Sequence, residues 1–217
     1  MKQLIAVCAV LVTLTTSAAA KLLVAVVEDV QGKVTGAEFM DYVAPAAVIE
    51  IGDGGSIVLS YMTSCQREKI SGIGTVIVGT QESVVHLAEV KSEKTACDSR
   101  QTYMTTRATS EAAATVLRSI ALPKPQLTLY GASPLVEAKG GGALVLQRLD
   151  VAGEREQVDL DGTQLKGKFF DFASADRALA PGGLYAATFK SSKVIFQVDP
   201  QAKPGATPIV GRLLRME

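Results

Sequence analysis

Hydrophobic and polar residues alternate with a period of two along most of the chain. At positions 56–61 isoleucine, leucine and tyrosine alternate with serine, valine and serine, and positions 193–198 repeat this kind of alternation. Successive side chains of a β-strand point to opposite faces of a sheet, so the alternation is typical of half-buried strands. Turn residues separate such runs, as at Gly52-Asp53-Gly54-Gly55, where a tight hairpin needs positive φ angles.

These runs predict two groups of short strands and an all-β fold. The first group lies at residues 22–28, 48–51, 56–61, 66–71, 75–78, 84–90 and 102–105. The second group lies at residues 143–149, 156–160, 168–172, 183–189, 193–198 and 209–214. Short strands at such spacing are typical of β-sandwiches. We therefore predict a β-rich domain over residues 21–108 and a small, antiparallel, immunoglobulin-like β-sandwich over residues 127–217.

Residues 109–126 do not follow the period of two. Thr109 or Ser110 is suited to cap a short helix through the alanines that follow, since its hydroxyl oxygen accepts a hydrogen bond from an amide at the helix start. Pro123 and Pro125 then end any helix and exclude a central strand. We predict that this stretch links two domains, and the alternative is a long connection inside a single sandwich.

The first 20 residues have the pattern of a secretory signal peptide. Lys2 is followed by an uncharged apolar stretch at 4–13 and by the small residues Ala18-Ala19-Ala20. This order of features predicts export and cleavage after Ala20. The alternative is retention as an uncleaved anchor, because residues 22–27 are apolar again. After cleavage we expect no further transmembrane span, and the mature protein would be periplasmic or secreted.

Export to an oxidising compartment predicts that the remaining cysteines form a disulfide rather than free thiols. Cys8 lies inside the predicted signal peptide, which leaves Cys65 and Cys97 as an even pair in an oxidising compartment. Such a pair predicts a disulfide between Cys65 and Cys97. A metal site would need several ligands close together, and His86 is the only histidine of the chain. We therefore expect no metal site.

Composition and motifs exclude several classes of function. The 22 Lys and Arg residues balance the 22 Asp and Glu residues, so the chain lacks the positive charge with which nucleic-acid-binding proteins contact phosphates. A Ser-His-Asp triad would have to use His86, and no G-x-S-x-G nucleophile elbow accompanies it. We expect a protein that is not an enzyme, with no catalytic residues, no cofactor and no nucleic-acid partner.

Two parts of the chain resemble known domains. Gln31-Gly32-Lys33-Val34, the runs at 47–51 and 56–61 and the glycine turn between them resemble a FecR-type periplasmic domain. Residues 179–185, followed by Phe196-Gln197-Val198, resemble the last hairpin of a C-terminal immunoglobulin-like segment. The founding family transmits an iron-uptake signal through a cytoplasmic segment and a membrane span, and we expect neither in this chain, so an iron-signalling role is not expected. What the resemblance implies is a non-catalytic, protein-binding module of the cell envelope.

The expected role is therefore to bind another cell-envelope protein, as an adaptor or a sensor. A partner strand could add to an exposed sheet edge, where unpaired backbone groups provide affinity. The alternative is a structural or polysaccharide-binding envelope protein, which the absence of Trp and the aromatic content of 5% disfavour. A candidate contact surface carries Lys91, Lys94, Arg100 and Arg107. Acidic residues interspersed among them also fit a solvated face of mixed charge.

Overall fold

The computed structural model describes residues 22–100, 122–206 and 208–216. Within these ranges the chain forms strands β1 to β17 with short 3₁₀ turns and contains no α-helix. The all-β class predicted from the period of two is therefore confirmed. The strand predicted at 102–105 and the short helix predicted after Thr109 or Ser110 lie outside the described residues.

The described residues of the N-terminal half, 22–100, form nine strands in two antiparallel sheets. The strands are β1 (Ala25–Gln31), β2 (Val34–Thr35), β3 (Tyr42–Val43), β4 (Val48–Ile51), β5 (Ser56–Tyr61), β6 (Gln66–Ser71), β7 (Gly74–Val78), β8 (Ser83–His86) and β9 (Glu89–Lys94). Sheet I has the order β2-β4-β7-β8, and sheet II has the order β3-β1-β5-β6-β9. The boundaries of β4, β5 and β6 are those predicted from the sequence.

In the C-terminal half, the residues that the structure describes form eight strands in two further sheets. The strands are β10 (Leu127–Gly131), β11 (Leu135–Ala138), β12 (Gly142–Arg148), β13 (Arg155–Leu160), β14 (Phe169–Asp171), β15 (Leu184–Phe189), β16 (Ser192–Lys203) and β17 (Leu213–Met216). Sheet III has the order β14-β11-β17, and sheet IV has the order β10-β16-β15-β12-β13. The antiparallel prediction was incomplete, because β10 pairs with β16 and β11 pairs with β17 in parallel.

Each half is a sandwich whose two sheets share an apolar core. Between sheets I and II, Ile49 of β4 and Leu59 of β5 belong to one buried cluster. Between sheets III and IV, Val136 of β11 and Phe196 of β16 belong to another. All four of these side chains are fully buried, as expected for inward-facing positions of packed sheets.

A third apolar layer joins the two halves. Val26 and Met62 of the N-terminal half form one buried cluster with Leu135, Phe169 and Leu213, which lie on sheet III. The sheets therefore stack in the order I, II, III, IV, and the two inner sheets are covered on both faces. Strands covered on both faces are expected to be continuously apolar, and residues 25–27 of β1 are each 0% exposed.

Two strands predicted as single runs are divided in the structure. The run at 84–90 breaks between β8 and β9, where Leu87 adopts a φ of 70° and the chain passes from sheet I to sheet II. The run at 209–214 begins as the 3₁₀ turn Ile209–Gly211, and only its end belongs to β17. Both runs are apolar enough to be strands, and alternation alone does not reveal a change of direction.

The boundary predicted at 109–126 falls mostly on residues outside the described ranges, so that division stays a prediction. Within the described residues no strand pair joins the two halves, which contact each other through side chains and the loops that flank the sheets. None of the described residues belongs to a helix with the length and hydrophobicity needed to span a bilayer.

Candidate functional site

Strand β9 forms an open edge of sheet II. It pairs with β6 on one side, and no described strand pairs with its other side. All six of its residues, Glu89 to Lys94, are exposed. An edge of this kind presents unpaired backbone N–H and C=O groups to solvent, which makes it a potential surface for pairing with another chain.

Every second residue of β9 directs its backbone groups away from β6. The Thr95 N–H donates to the Cys65 carbonyl at 2.9 Å, at the position that continues the β6–β9 register. Hydrogen-bonded and non-hydrogen-bonded pairs alternate along an antiparallel ladder, so the odd-numbered residues of β9 bond to β6. The N–H and C=O groups of Val90, Ser92 and Lys94 therefore face the open edge.

The side chains of β9 also divide into two sets. Cross-strand pairing aligns Glu93 with Arg67 and, two strands further on, with Val26 in the layer between sheets II and III. The odd-numbered side chains of β9 consequently point to that face. Val90 pairs with Ile70, which belongs to the core between sheets I and II, so the even-numbered side chains point to the opposite face.

The face that carries the odd-numbered side chains is charged. Arg67 bonds to Glu93 at 2.8 Å and to Glu28 at 2.6 Å. The neighbouring cross-strand pair joins Lys69 to Lys91, and like charges at directly opposite positions destabilise a sheet. Lys91 therefore faces a like charge on its β6 side, and no strand of the described residues lies on its outer side.

A disulfide fixes one end of the β6–β9 pair. Cys65 precedes β6, Cys97 follows β9, and their sulfur atoms are bonded, as the sequence predicts. The Lys94 Nζ donates to the Ser64 carbonyl at 2.8 Å, and the Thr95 hydroxyl donates to the Cys65 carbonyl at 3.3 Å. These bonds hold the end of an exposed strand that pairs with one other strand among those the structure describes.

A cleft of about 550 Å³ lies between the two halves. Its apolar lining comprises Phe39, Met40, Leu135, Phe169, Ala206, Pro208 and Ile209. Its charged lining comprises Glu28, Asp29, Arg67, Glu93, Lys166, Asp171 and Arg212. Both sets include residues of each half, and apolar walls with a few charged groups are typical of ligand pockets.

A β-bulge places a carboxylate at the base of this cleft. The register between β1 and β5 shifts between Val27 and Asp29, so Glu28 is the additional residue. Glu28 is 9% exposed, and its carboxylate accepts bonds from Arg67 of β6 and from the backbone N–H of Ile209 in the other half. A buried charge is tolerated when it is paired in this way.

A second buried carboxylate binds the halves together beside the cleft. Glu137 accepts hydrogen bonds from the Tyr42 hydroxyl at 2.7 Å and from the Arg215 Nε at 3.1 Å, and it pairs with the Lys168 Nζ at 2.6 Å. The Lys168 and Arg215 cations also lie 4.5 and 5.2 Å from the Tyr42 ring centroid. Burial alone would raise the pKa of Glu137, but these bonds and charges hold the pKa below its usual value.

Arg212 forms a third buried charge at the wall of the cleft. It is 3% exposed, and its Nη1 donates to Asp171 at 2.6 Å and to the Ser133 carbonyl at 3.2 Å. Burial alone would raise the pKa of Asp171, but the bonds and charge of Arg212 hold the pKa below its usual value. This wall of the cleft is therefore held in place by ionic hydrogen bonds.

The other residues singled out in the sequence lie apart from the cleft. His86 is exposed at the end of β8 on sheet I, and the described residues contain no group of three metal-ligating side chains. Lys91 and Lys94 lie on β9, whereas Arg100 bonds to Asp98 at 2.5 Å. Arg107 lies outside the described residues, so the four basic residues do not form one described surface.

Sequence patterns did not reveal that Glu28, Glu137 and Arg212 are buried where the two halves meet. Glu28 and Glu137 each follow apolar residues at positions that alternation would give to solvent, and their partners are distant in the chain. Two surfaces thus offer binding chemistry, namely the edge of β9 and the cleft between the halves. No family model, curated protein or solved structure matches the chain.

Proposed function

We propose that this chain is a non-catalytic, exported envelope protein that binds another protein by adding the partner's strand to β9. The observation that carries the proposal is the six-residue exposed edge of β9, from which Val90, Ser92 and Lys94 direct backbone groups outward. Strand addition uses these groups for affinity and the alternate side chains for specificity. An adaptor or sensor needs such a site and no reactive side chain.

The edge provides enough hydrogen bonds for a specific, reversible contact. With two bonds at each outward-facing residue, a partner strand would form about six, worth on the order of 6 kcal/mol before the entropy of association is subtracted. The disulfide between Cys65 and Cys97 holds the edge in place, which lowers the entropy lost when a partner orders it.

Export is supported by the same disulfide, because disulfides persist in oxidising compartments outside the cytoplasm. The secretory pattern of residues 1–20 agrees with this placement. The FecR-like assignment of the N-terminal half is supported by its short antiparallel strands, among which β5 and β6 form one hairpin and β7 and β8 another. The immunoglobulin-like assignment of the other half is supported by its two facing sheets.

A proline substitution at the edge tests the proposal. Ser92→Pro removes an outward-facing N–H without breaking a bond to β6, so we expect it to abolish capture of the envelope partner. The matched control is Gln157→Pro on β13, the outer strand of sheet IV. There the Arg148 N–H donates to the Glu154 carbonyl at 2.9 Å, so by alternation the N–H of Gln157 also faces outward.

The mature protein is used as bait in envelope extract, and circular dichroism verifies that both variants are folded. The proposal requires one stoichiometric protein to be retained by wild type and by Gln157→Pro, and lost with Ser92→Pro. Equal capture by the two proline variants would show that β9 is not the binding edge.

Polysaccharide binding in the cleft is a second candidate, and the exposure of Phe39 favours it. Phe39 is 52% exposed at the cleft rim, where an aromatic face could stack on a sugar ring beside Asp29 and Asp171. Peptidoglycan should then retain the wild-type protein and release Phe39→Ala. Retention that does not depend on Phe39 would exclude this cleft as the sugar site.

A further inference from the structure

We propose that the strand added to β9 is β9 of a second copy of this chain, which makes the protein a homodimer with one continuous sheet. This inference rests on the proposed function, because it names the partner of the same edge. Two copies related by a twofold axis perpendicular to sheet II would place β9 antiparallel to itself. The two five-stranded sheets would then join into one sheet of ten strands.

The direction of the backbone groups restricts the pairing register. Only the even-numbered residues of β9 face outward, so an even-numbered residue of one copy must be opposite an even-numbered residue of the other. A slip by one residue would place outward-facing groups against groups already bonded to β6. The symmetric registers are therefore centred between equivalent residues, and they differ in which side chains meet.

The register centred on Ser92 pairs opposite charges twice. Ser92 of one copy meets Ser92 of the other, and Lys91 of each copy meets Glu93 of the other copy. Opposite charges at directly opposed positions stabilise a sheet. The same register places Val90 of each copy opposite Lys94 of the other, so no like charges meet at these positions.

Neighbouring registers are less favourable. The register centred on Lys91 opposes Lys91 to itself and Glu89 to Glu93, and the register centred on Glu93 opposes Glu93 to itself. The register centred on Val90 pairs opposite charges but extends the contact past Leu87, where the chain turns toward sheet I. The charges of β9 thus select one register and reject its neighbours, which is how charged edges avoid unspecific pairing.

The charges inside one copy favour this occupant. Lys91 is opposed by Lys69 within its own sheet, and Glu93 of a second copy would supply an anion on its other side. The Glu93 Oε1 bonds to Arg67, but the side chain is still 57% exposed. Its other oxygen is therefore accessible to Lys91 of the second copy.

Charge reversal gives a test in which the two variants control each other. Lys91→Glu and Glu93→Lys each oppose like charges twice across the twofold axis, so each should weaken dimerisation about tenfold or more. In a 1:1 mixture of the two variants both cross-copy pairs have opposite charges again, and dimers should return. Sedimentation equilibrium is measured for the mature wild-type protein, for each variant and for their mixture. The concentrations run from about 1 to 500 μM, because edge contacts of this size are weak.

A cysteine pair tests the register directly. Hydrogen-bonded antiparallel pairs have Cα atoms about 5.5 Å apart, a separation that a disulfide spans without strain. Ser92→Cys should therefore form a covalent dimer under mild oxidation. The matched control Glu89→Cys should stay monomeric, because the register centred on Ser92 opposes position 89 to Thr95.

The outcomes separate this inference from the proposed function. A wild-type protein that is monomeric at all concentrations, or a mixture of charge variants that does not dimerise, overturns the inference. If the protein is monomeric while Ser92→Pro still abolishes capture of an envelope protein, the proposed function stands with a different partner. If Ser92→Pro has no effect on either measurement, both are wrong.

Discussion

Replacement of Glu137 by glutamine tests whether the charged cluster beside the cleft holds the two halves together. The Glu137 side chain is 3% exposed and contacts two cations and one hydroxyl. Glu137→Gln keeps the size and shape of the side chain and removes its charge. Lys168 and Arg215 would then lose their counter-ion. The amide nitrogen of the glutamine would also place its N–H donors where the carboxylate oxygen had accepted a hydrogen bond.

The expected loss of stability follows from the burial of these groups. Removal of one partner from a buried ion pair destabilises a protein by roughly 3 to 5 kcal/mol. The Lys168 side chain is 40% exposed, so solvent screens part of the loss and the lower end applies. We expect the free energy of unfolding to fall by about 3 kcal/mol, which lowers Tm by about 6 to 12 °C in a chain of this size.

Urea unfolding at several pH values measures this effect. The pKa of Glu137 is lowered from 4.5 in the folded state, so its stabilising contribution is present above that value and is lost as the pH falls through the folded pKa. The difference between wild type and Glu137→Gln should be full at pH 7 and should shrink below pH 4.5. Tyr42→Phe is the graded control, because it removes one hydrogen bond to the carboxylate, worth about 1.5 to 3 kcal/mol.

Two results would refute this reasoning. A change smaller than about 0.5 kcal/mol at pH 7 would place Glu137→Gln among ordinary surface substitutions. A large change that is equal at pH 7 and pH 3 would mean that shape, rather than charge, decides the stability of this cluster.

Three further predictions concern the N-terminal half. Cys65→Ser with Cys97→Ser opens a loop with a sequence separation of 32 and should reduce the free energy of unfolding by about 3.5 kcal/mol, measured in urea. Burial raises the pKa of Glu68, so its native state loses stability as the pH rises through that pKa; Glu68→Gln should raise Tm at pH 8 and not at pH 4. Gly32 has a φ of 65°, and an added Cβ would meet the Gly54 carbonyl, so Gly32→Ala should destabilise by about 2 kcal/mol or more. Gly54→Ala, with a φ of 68° and open space around the Cβ, should destabilise by only about 1 kcal/mol, and equal losses would contradict the contact.

The strands that could be predicted from the sequence are those bounded by local turn signals. The turn Gly52-Asp53-Gly54-Gly55 separates β4 from β5, and both strands have the predicted bounds. The tight hairpin predicted at this turn is wrong, because β4 lies in sheet I and β5 in sheet II. Strands β10 and β11 were not predicted, although Leu127 and Leu135 are buried. Prolines precede each of them, and short apolar runs beside proline are equally typical of loops.

The interface between the halves could not be predicted, because its contacts are distant in the chain. Tyr42 and Glu137 are separated by 95 residues, and Glu28 and Ile209 by 181. Local alternation assigns a glutamate beside apolar residues to the solvent face, and it contains no information about a second sheet that covers that face. The edge of β9 is visible in the sequence only as a run of mixed charge.

The apolar layer shared by sheets II and III has a consequence for how the molecule denatures. Val26 and Met62 are completely buried in a cluster with Leu213 of the other half. Unfolding of either half would therefore expose the apolar surface of the other half to water. Scanning calorimetry should consequently record a single endotherm. A fragment that carries one half alone should aggregate and be poorly soluble, although it retains its own sandwich.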